Sequence, residues 1–340
     1  MVVLGIESFE GSEQVFASKW NIPVSSVSLQ GEGREGGLSS SDMADVLCYF
    51  RPVEATTSSP TIIGFGINPQ GTLSSGDAMW IGVGQGSRVQ CSVQISKTTS
   101  GFQLQAYQGS NANTLLGGAV DISLSSSTWT YLEFRYVVDN TAGEITYRIN
   151  GGADATLVSS VDTQRLGNNG INAVHMFQRA GFLLDDLYFL DESTAGGGGG
   201  QQTFLGPQVA RTVNLTTATV SGMTVNGGSA EAVVADQNLS TYVQGTTSGN
   251  KVTFTTDDVS SLGTAFAAVQ IDAIAKTADQ GNRNVRTFIE DAGGTAINST
   301  NKTLTSTDDV GFTRVFTEDS GGNALDSTDI SSLEIGVEIP

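Results

Sequence analysis

The stretch Thr128–Gly152, "TWTYLEFRYVVDNTAGEITYRINGG", decides the fold. From Thr130 onward Leu132, Phe134, Tyr136 and Val138 alternate with Glu133 and Arg135, the period of two that marks a half-buried β-strand. The turn residues of "DNTAG" follow, and Ile145, Tyr147 and Ile149 then alternate with Thr146, Arg148 and Asn150. Together these segments predict a β-hairpin with one apolar and one polar face.

The same texture recurs every ten to fifteen residues, and helical periodicity is nearly absent. Strands are predicted at 46–51, 61–68, 79–84, 89–96, 102–108 and 182–191. Six more follow, at 211–217, 251–255, 265–276, 284–290, 311–317 and 332–339. Short antiparallel strands joined by glycine-rich turns predict an all-β architecture of sandwich or jelly-roll type. The five glycines of "STAGGGGGQQ" offer no side chains to pack and lose much backbone entropy when ordered, so they read as a joint between domains. The expected division is a first domain over 1–195, a Gly-rich linker over 196–202 and a smaller β-sandwich over 203–340.

Of 340 residues only 15% are charged, and the net charge is −19. Both sides of the glycine run are acidic, which leaves no clustered Lys and Arg for nucleic acid or anionic lipid. Neither a basic leader with an apolar core nor an apolar run of membrane-spanning length is present, so a chain made in the cytoplasm without membrane insertion is expected. Cys48 and Cys91 both fall in predicted strands and read as buried free thiols, with a disulfide between adjacent strands as the alternative.

Catalytic constellations are hard to build from this chain. His175 is its only histidine and reads as a packed or surface residue of a strand, not as part of a triad or a multi-histidine metal site. Glu133 and Arg135 read as a solvent-facing pair. The carboxylates Asp326, Asp329 and Glu334 have the wrong spacing for paired acid and base work, and Asp257/Asp258 and Asp308/Asp309 read as turn or helix initiators. The glycines of "GVGQGS" and "GGGGGQ" lack the Lys of a phosphate-binding loop and read as turn glycines.

The first 195 residues resemble concanavalin A-like (laminin-G-like) jelly rolls. The resemblance rests on "WTYLEFRYVVDNTAGEITYRING" and on the terminal strand "FLLDDLYFLD". "GIESFEG", "FASKW" and the junction "DDLYFLDESTAGGGGGQQTFLGPQVARTVNL" resemble tailed-bacteriophage virion proteins. So do "ADQNLSTYVQG", "AVQIDAIAKTADQGNRNVRTFI" and "SSLEIGVEIP". This resemblance implies a non-catalytic virion building block, expected as a tail appendage or fibre component that binds host-surface glycan. A capsid decoration or head-fibre protein is the alternative, and a polysaccharide-degrading enzyme a remote one. Implied partners are other virion proteins and further copies of the chain, trimers favoured.

Glycanases of this class carry Glu-x-Asp-x-x-Glu on one strand face, a spacing that does not occur here. Calcium is the metal that lectin-like jelly rolls imply, and Asp185 and Asp186 are the candidate ligands. On a regular strand, however, the two side chains point to opposite faces. A sugar site calls for an exposed aromatic platform beside amides or carboxylates. Trp20, Trp80 and Trp129 all precede the glycine run. Trp80 and Trp129 read as core by alternation, and Trp80 is the candidate platform.

Overall fold

The computed structural model describes residues 2–7, 28–30, 33–34, 39–42, 48–50, 57–58, 60–110, 114–177, 181–192, 204–211, 213, 215–235, 240–257, 266–278, 281–290, 295–305, 307, 310–326 and 334–340. Trp20, Asp258, Asp308, Asp309, Asp329 and the predicted 196–202 linker lie outside them. The chain forms two compact units, Met1–Arg211 and Thr212–Pro340. Both flanks of the glycine run, Glu192 and Phe204, therefore belong to the first unit. No helix among the described residues is long and apolar enough to cross a membrane.

The first unit holds strands β1 (Val2–Glu7), β2 (Ser28–Gln30), β3 (Ser39–Asp42), β4 (Cys48–Phe50) and β5 (Thr61–Pro69). They continue with β6 (Ala78–Gln85), β7 (Arg88–Lys97), β8 (Phe102–Gln108), β9 (Thr114–Leu115) and β10 (Val120–Ile122). The last are β11 (Thr130–Val137), β12 (Gly143–Ile149), β13 (Ala155–Val161), β14 (Ala173–Phe177) and β15 (Phe182–Asp191). One antiparallel sheet runs β13-β12-β11-β5-β15-β3-β2, with β1 also on β15. The second runs β10-β8-β7-β6-β14-β4, with β9 on β8. This is the all-β jelly-roll sandwich that the alternation predicts, and the 130–149 hairpin pairs as β11 and β12 with Phe134 opposite Tyr147.

The core lies between the two sheets. Ile63, Phe65, Phe134 and Phe189 enter it from the first sheet, and Met79, Ile81, Val93 and Leu104 from the second, all wholly buried. Burying such side chains contributes roughly 1.5–3 kcal/mol each. Tyr136 crosses the core, and its hydroxyl donates to the Ile81 carbonyl at 3.0 Å, which satisfies the phenol where no water reaches. Cys91, on β7, is a buried free thiol whose ionisation burial pushes far up. Strand order separates β7 from Cys48 on β4 by β6 and β14, so the two cysteines are not on adjacent strands.

The second unit carries β16 (Leu215–Ser221), β17 (Thr224–Asn226), α1 (Ala230–Ala235), β18 (Tyr242–Gln244), β19 (Lys251–Thr256) and β20 (Val269–Ala275). Strands β21 (Arg283–Glu290), β22 (Ala296–Asn298), β23 (Lys302–Leu304), β24 (Val310–Phe316) and β25 (Glu334–Glu338) complete it. A sheet of order β16-β19-β25-β21-β22, with β23 also on β21, is overlain by the β20-β24 ribbon. Val269, Ile271 and Phe316 of that ribbon pack on Ile289 and Ile335 of the sheet. On the opposite face the Phe288 ring crosses Gly336, where a side chain would collide with it. Ion pairs Lys251–Glu290 (3.1 Å) and Arg286–Glu338 (2.7 Å) flank that ring.

In the first unit Gly64 plays the same part beneath Tyr188, whose ring occupies the place of a Cβ. Gly64→Ala should therefore cost about 1–3 kcal/mol through overpacking. The expected readout is a lower urea midpoint in tryptophan fluorescence, which reports the first unit alone because all three tryptophans lie there.

Candidate functional site

The two outer faces of the first sandwich are treated differently. Behind the eight-stranded sheet, Phe204–Ala210 forms a strap held by two buried acids. Glu133, on β11, is fully buried. Its Oε1 accepts from the Tyr188 hydroxyl and, at 2.8 Å, from the Gly206 N–H. Burial raises the Glu133 pKa, and these two donors oppose the rise. Phe204 fills the space against Ile62, Tyr131, Tyr188 and Leu190, with the Arg148 guanidinium 4.7 Å above its ring. Where the sequence predicts a solvent-facing Glu133–Arg135 pair, Glu133 instead anchors the strap. Arg135 bonds Glu192 through two nitrogens at 2.6 and 2.9 Å.

Asp185 and Asp186 form the second anchor. The register against β5 slips by one residue between Asp185 and Tyr188, and Asp186 adopts φ 51°. This bulge shifts the parity of the core positions, from Phe182 and Leu184 to Leu187 and Phe189. It also overturns the expectation that the two aspartates face opposite ways, since both bind Arg34. Asp185 Oδ2 accepts from the Arg34 N–H at 2.7 Å, and Asp186 Oδ2 from Arg34 Nε at 2.6 Å. Asp186 Oδ1 takes the Ala210 N–H at 2.7 Å, and Asp185 Oδ1 the Asp186 N–H at 2.8 Å. All four carboxylate oxygens meet N–H donors and one partner is a guanidinium, so this donor set does not fit calcium. No cluster of three or more metal-ligating side chains occurs among the described residues.

The outer face of the seven-stranded sheet has a different chemistry. Strand register sets Phe177, Trp80, Gln94 and Gln105 side by side on β14, β6, β7 and β8. The next row is Tyr49, His175, Gly82, Ser92, Tyr107 and Leu115. Four neighbouring strands make the first row about 14 Å wide. Met79 and Ile81 point into the core, the reverse of the facing read from the sequence, which turns Trp80 outward, half-buried, with its ring edge-on to Phe177 at 5.0 Å. The Trp80 indole N–H has no partner. Tyr107 Oη stands 3.1 Å from Gln94 Oε1 and 2.8 Å from Gln105 Oε1.

Buried Gln90 walls one end of this face. Its Nε2 donates to the carbonyls of Asn168 and Gly170, and its Oε1 accepts the Arg165 and Leu166 N–H groups, fixing the 165–170 loop. His175 is 2% exposed, lies against Tyr49 at 5.7 Å and covers Gly84. Neither of its ring nitrogens has a partner, and burial pushes its pKa down to about 4. Trp129 is half-buried just before β11 and is not part of the core. Asp326 and Glu334 lie in the second unit, and Asp257 is exposed there. The Gln94–Tyr107–Gln105 cluster was not singled out from the sequence, although the alternation of "VQCSVQI" with "FQLQAYQ" places polar side chains on one face.

No family model matches the chain, and no curated protein matches it. Several solved structures show partial likeness. The Trypanosoma cruzi calreticulin globular domain is 9% identical, covering 56% of this chain and 88% of that one with a TM-score of 0.38. The Caenorhabditis elegans galectin LEC-6 is 12% identical over 43% of this chain and 91% of its own, TM-score 0.28. The CBM2 module of the evolved Dit of Lactobacillus casei BL23 phage J-1 is 9% identical over 42% and 67%, TM-score 0.29. At these identities and scores they assign neither family nor ligand.

Glu133→Ala removes the acceptor of two donors and should cost about 1–3 kcal/mol, with new proteolytic cleavage at the strap. Glu133→Gln, which keeps an acceptor oxygen and drops the buried charge, should stay within about 1 kcal/mol of the parent. Because the His175 pKa lies below that of the unfolded chain, its contribution is complete above pH 6.5 and is lost as pH falls to about 4. About 3 kcal/mol should disappear across that window. His175→Phe should abolish this loss in urea titrations followed by tryptophan fluorescence.

Proposed function

We propose that the first unit is a non-catalytic glycan-binding module whose ligand lies on the open face of the β10-β8-β7-β6-β14-β4 sheet. The observation that carries this reading is the row Trp80, Gln94 and Gln105 with Tyr107 beside it. A pyranose ring has an apolar C–H face and a rim of hydroxyls. It needs a flat aromatic surface next to groups that both donate and accept hydrogen bonds. Trp80 supplies the first and the carboxamides the second. Paired carboxylates at the spacing of a glycosidase are absent from this face among the described residues, which favours binding over hydrolysis.

The resemblance of the sequence to tailed-phage virion proteins extends this reading. The chain serves as a tail-associated appendage, where a sugar-binding face contacts the surface of the host cell. Purified protein on a glycan array should bind a defined set of oligosaccharides. Trp80→Ala should weaken that binding at least about tenfold, roughly 1.4 kcal/mol, while leaving the urea midpoint close to that of the parent. Immunogold labelling of virions with antibody to the first unit should decorate the tail; label spread over the head would instead mark a capsid protein.

A further inference from the structure

Resting on the glycan-binding reading, we infer that the ligand is an uncharged glycan, gripped through adjacent hydroxyls by Gln94, Tyr107 and Gln105 without a metal ion. The hydrogen-bonding balance of the cluster supports this. Tyr107 has one hydroxyl proton and two carboxamide oxygens within reach, at 3.1 and 2.8 Å. It donates to one carboxamide oxygen and can accept from the NH2 of the other once that carboxamide turns. Gln94 and Gln105 are half-exposed, and this arrangement leaves one carboxamide NH2 and the other carboxamide's carbonyl without a protein partner among the described residues. Each carboxamide presents a donor and an acceptor in one plane. Two neighbouring sugar hydroxyls, one accepting and one donating, match that pair.

Charge then selects among glycans. The two central rows contain no charged residue, and His175 stays neutral above about pH 4. Among the described residues the nearest charge across the sheet is negative, Asp121 on β10 opposite Gln103, and Lys97 at the end of β7 lies over the ring of the core residue Phe102 at 4.6 Å. The described cations at the far end are Arg88, the first residue of β7, and Arg165, in the loop fixed by Gln90. Arg88 is four residues along β7 from Ser92, about 13 Å by strand rise and beyond the physiological screening length. With a net charge of −19, a sialylated, uronic or phosphorylated glycan meets repulsion, and the two central rows offer it no counter-charge. A cation bridge is also disfavoured, because hard metal ions need several oxygen ligands and the central rows carry no carboxylate.

The deciding experiment is titration calorimetry of the intact chain, and of Trp80→Ala, Gln94→Ala and Gln105→Ala, against neutral and anionic oligosaccharides found by array. Neutral glycans should bind in excess chelator, with affinity changing less than about twofold between about 0.05 and 0.5 M salt. Each Gln→Ala variant should weaken binding at least about fivefold, and Trp80→Ala at least as much. Preference for anionic glycans, or a calcium requirement, with Trp80→Ala still abolishing binding would overturn the inference and leave the glycan site standing. Absence of binding to any glycan would overturn the site itself.

Discussion

The hydrogen bonds accepted by Glu133 are the constraint on which the first unit is arranged. A carboxylate with no exposure, on the back of a sheet, cannot be left to water, and removing one partner of such a group leaves the rest uncompensated. The Tyr188 hydroxyl and the Gly206 N–H meet that need. Only Gly64 lets the Tyr188 ring lie flat enough to reach Glu133. Gly206 in turn fixes the strap, and Phe204 then has an apolar bed to fill. The centre of one sheet of the sandwich is thereby covered on both sides, with β15 buried along its whole length. The other sheet keeps an outer face with half-exposed aromatics and amides.

Much of this was legible in sequence because alternation is a direct projection of sheet geometry. The predicted strands 102–108 and 182–191 coincide with β8 and β15, and 61–68 with all but the last residue of β5. Alternation fails where geometry departs from period two. The bulge at Asp185–Asp186 inserts one residue and turns both aspartates to one side. It is invisible in "FLLDDLYFLD", where every position is buried and polarity offers no clue to facing. The strand predicted at 211–217 begins at Leu215 and is preceded by the strap, whose bonds to Glu133 and Asp186 are made by Gly206 and Ala210. A chain composed of turn-rich loops carries no local signal for such a long-range attachment.

Trp80 shows that alternation sets neighbours on opposite faces without saying which of them faces the core. Met79 and Ile81 occupy the core side, so Trp80, read as core from the sequence, occupies the other. Whether that other side is covered depends on which sheet β6 joins and on what lies behind that sheet. On the eight-stranded sheet the strap would have buried it. On the seven-stranded sheet it stands beside Gln94 and Phe177. Nothing within ten residues of Trp80 distinguishes these cases; the difference is set by pairings with β7 and β14, the latter nearly a hundred residues away.

The polar groups left without partners follow the same division between the faces. Glu133 Oε2 is unpaired beneath the strap, where the bonds to Oε1 and the packing of Phe204 offset its cost. On the side of the other sheet the unpartnered buried groups among the described residues are the Trp80 indole N–H, the Ser96 hydroxyl and both nitrogens of His175. A folded chain retains such groups at a cost of about 1–3 kcal/mol each, which the packing of Trp80 on Phe177 and of His175 on Tyr49 offsets. What a hydroxyl-rich, uncharged ligand would meet on this face is therefore not these buried atoms but the half-exposed carboxamides of Gln94 and Gln105 beside Tyr107, in two rows that hold no charged residue.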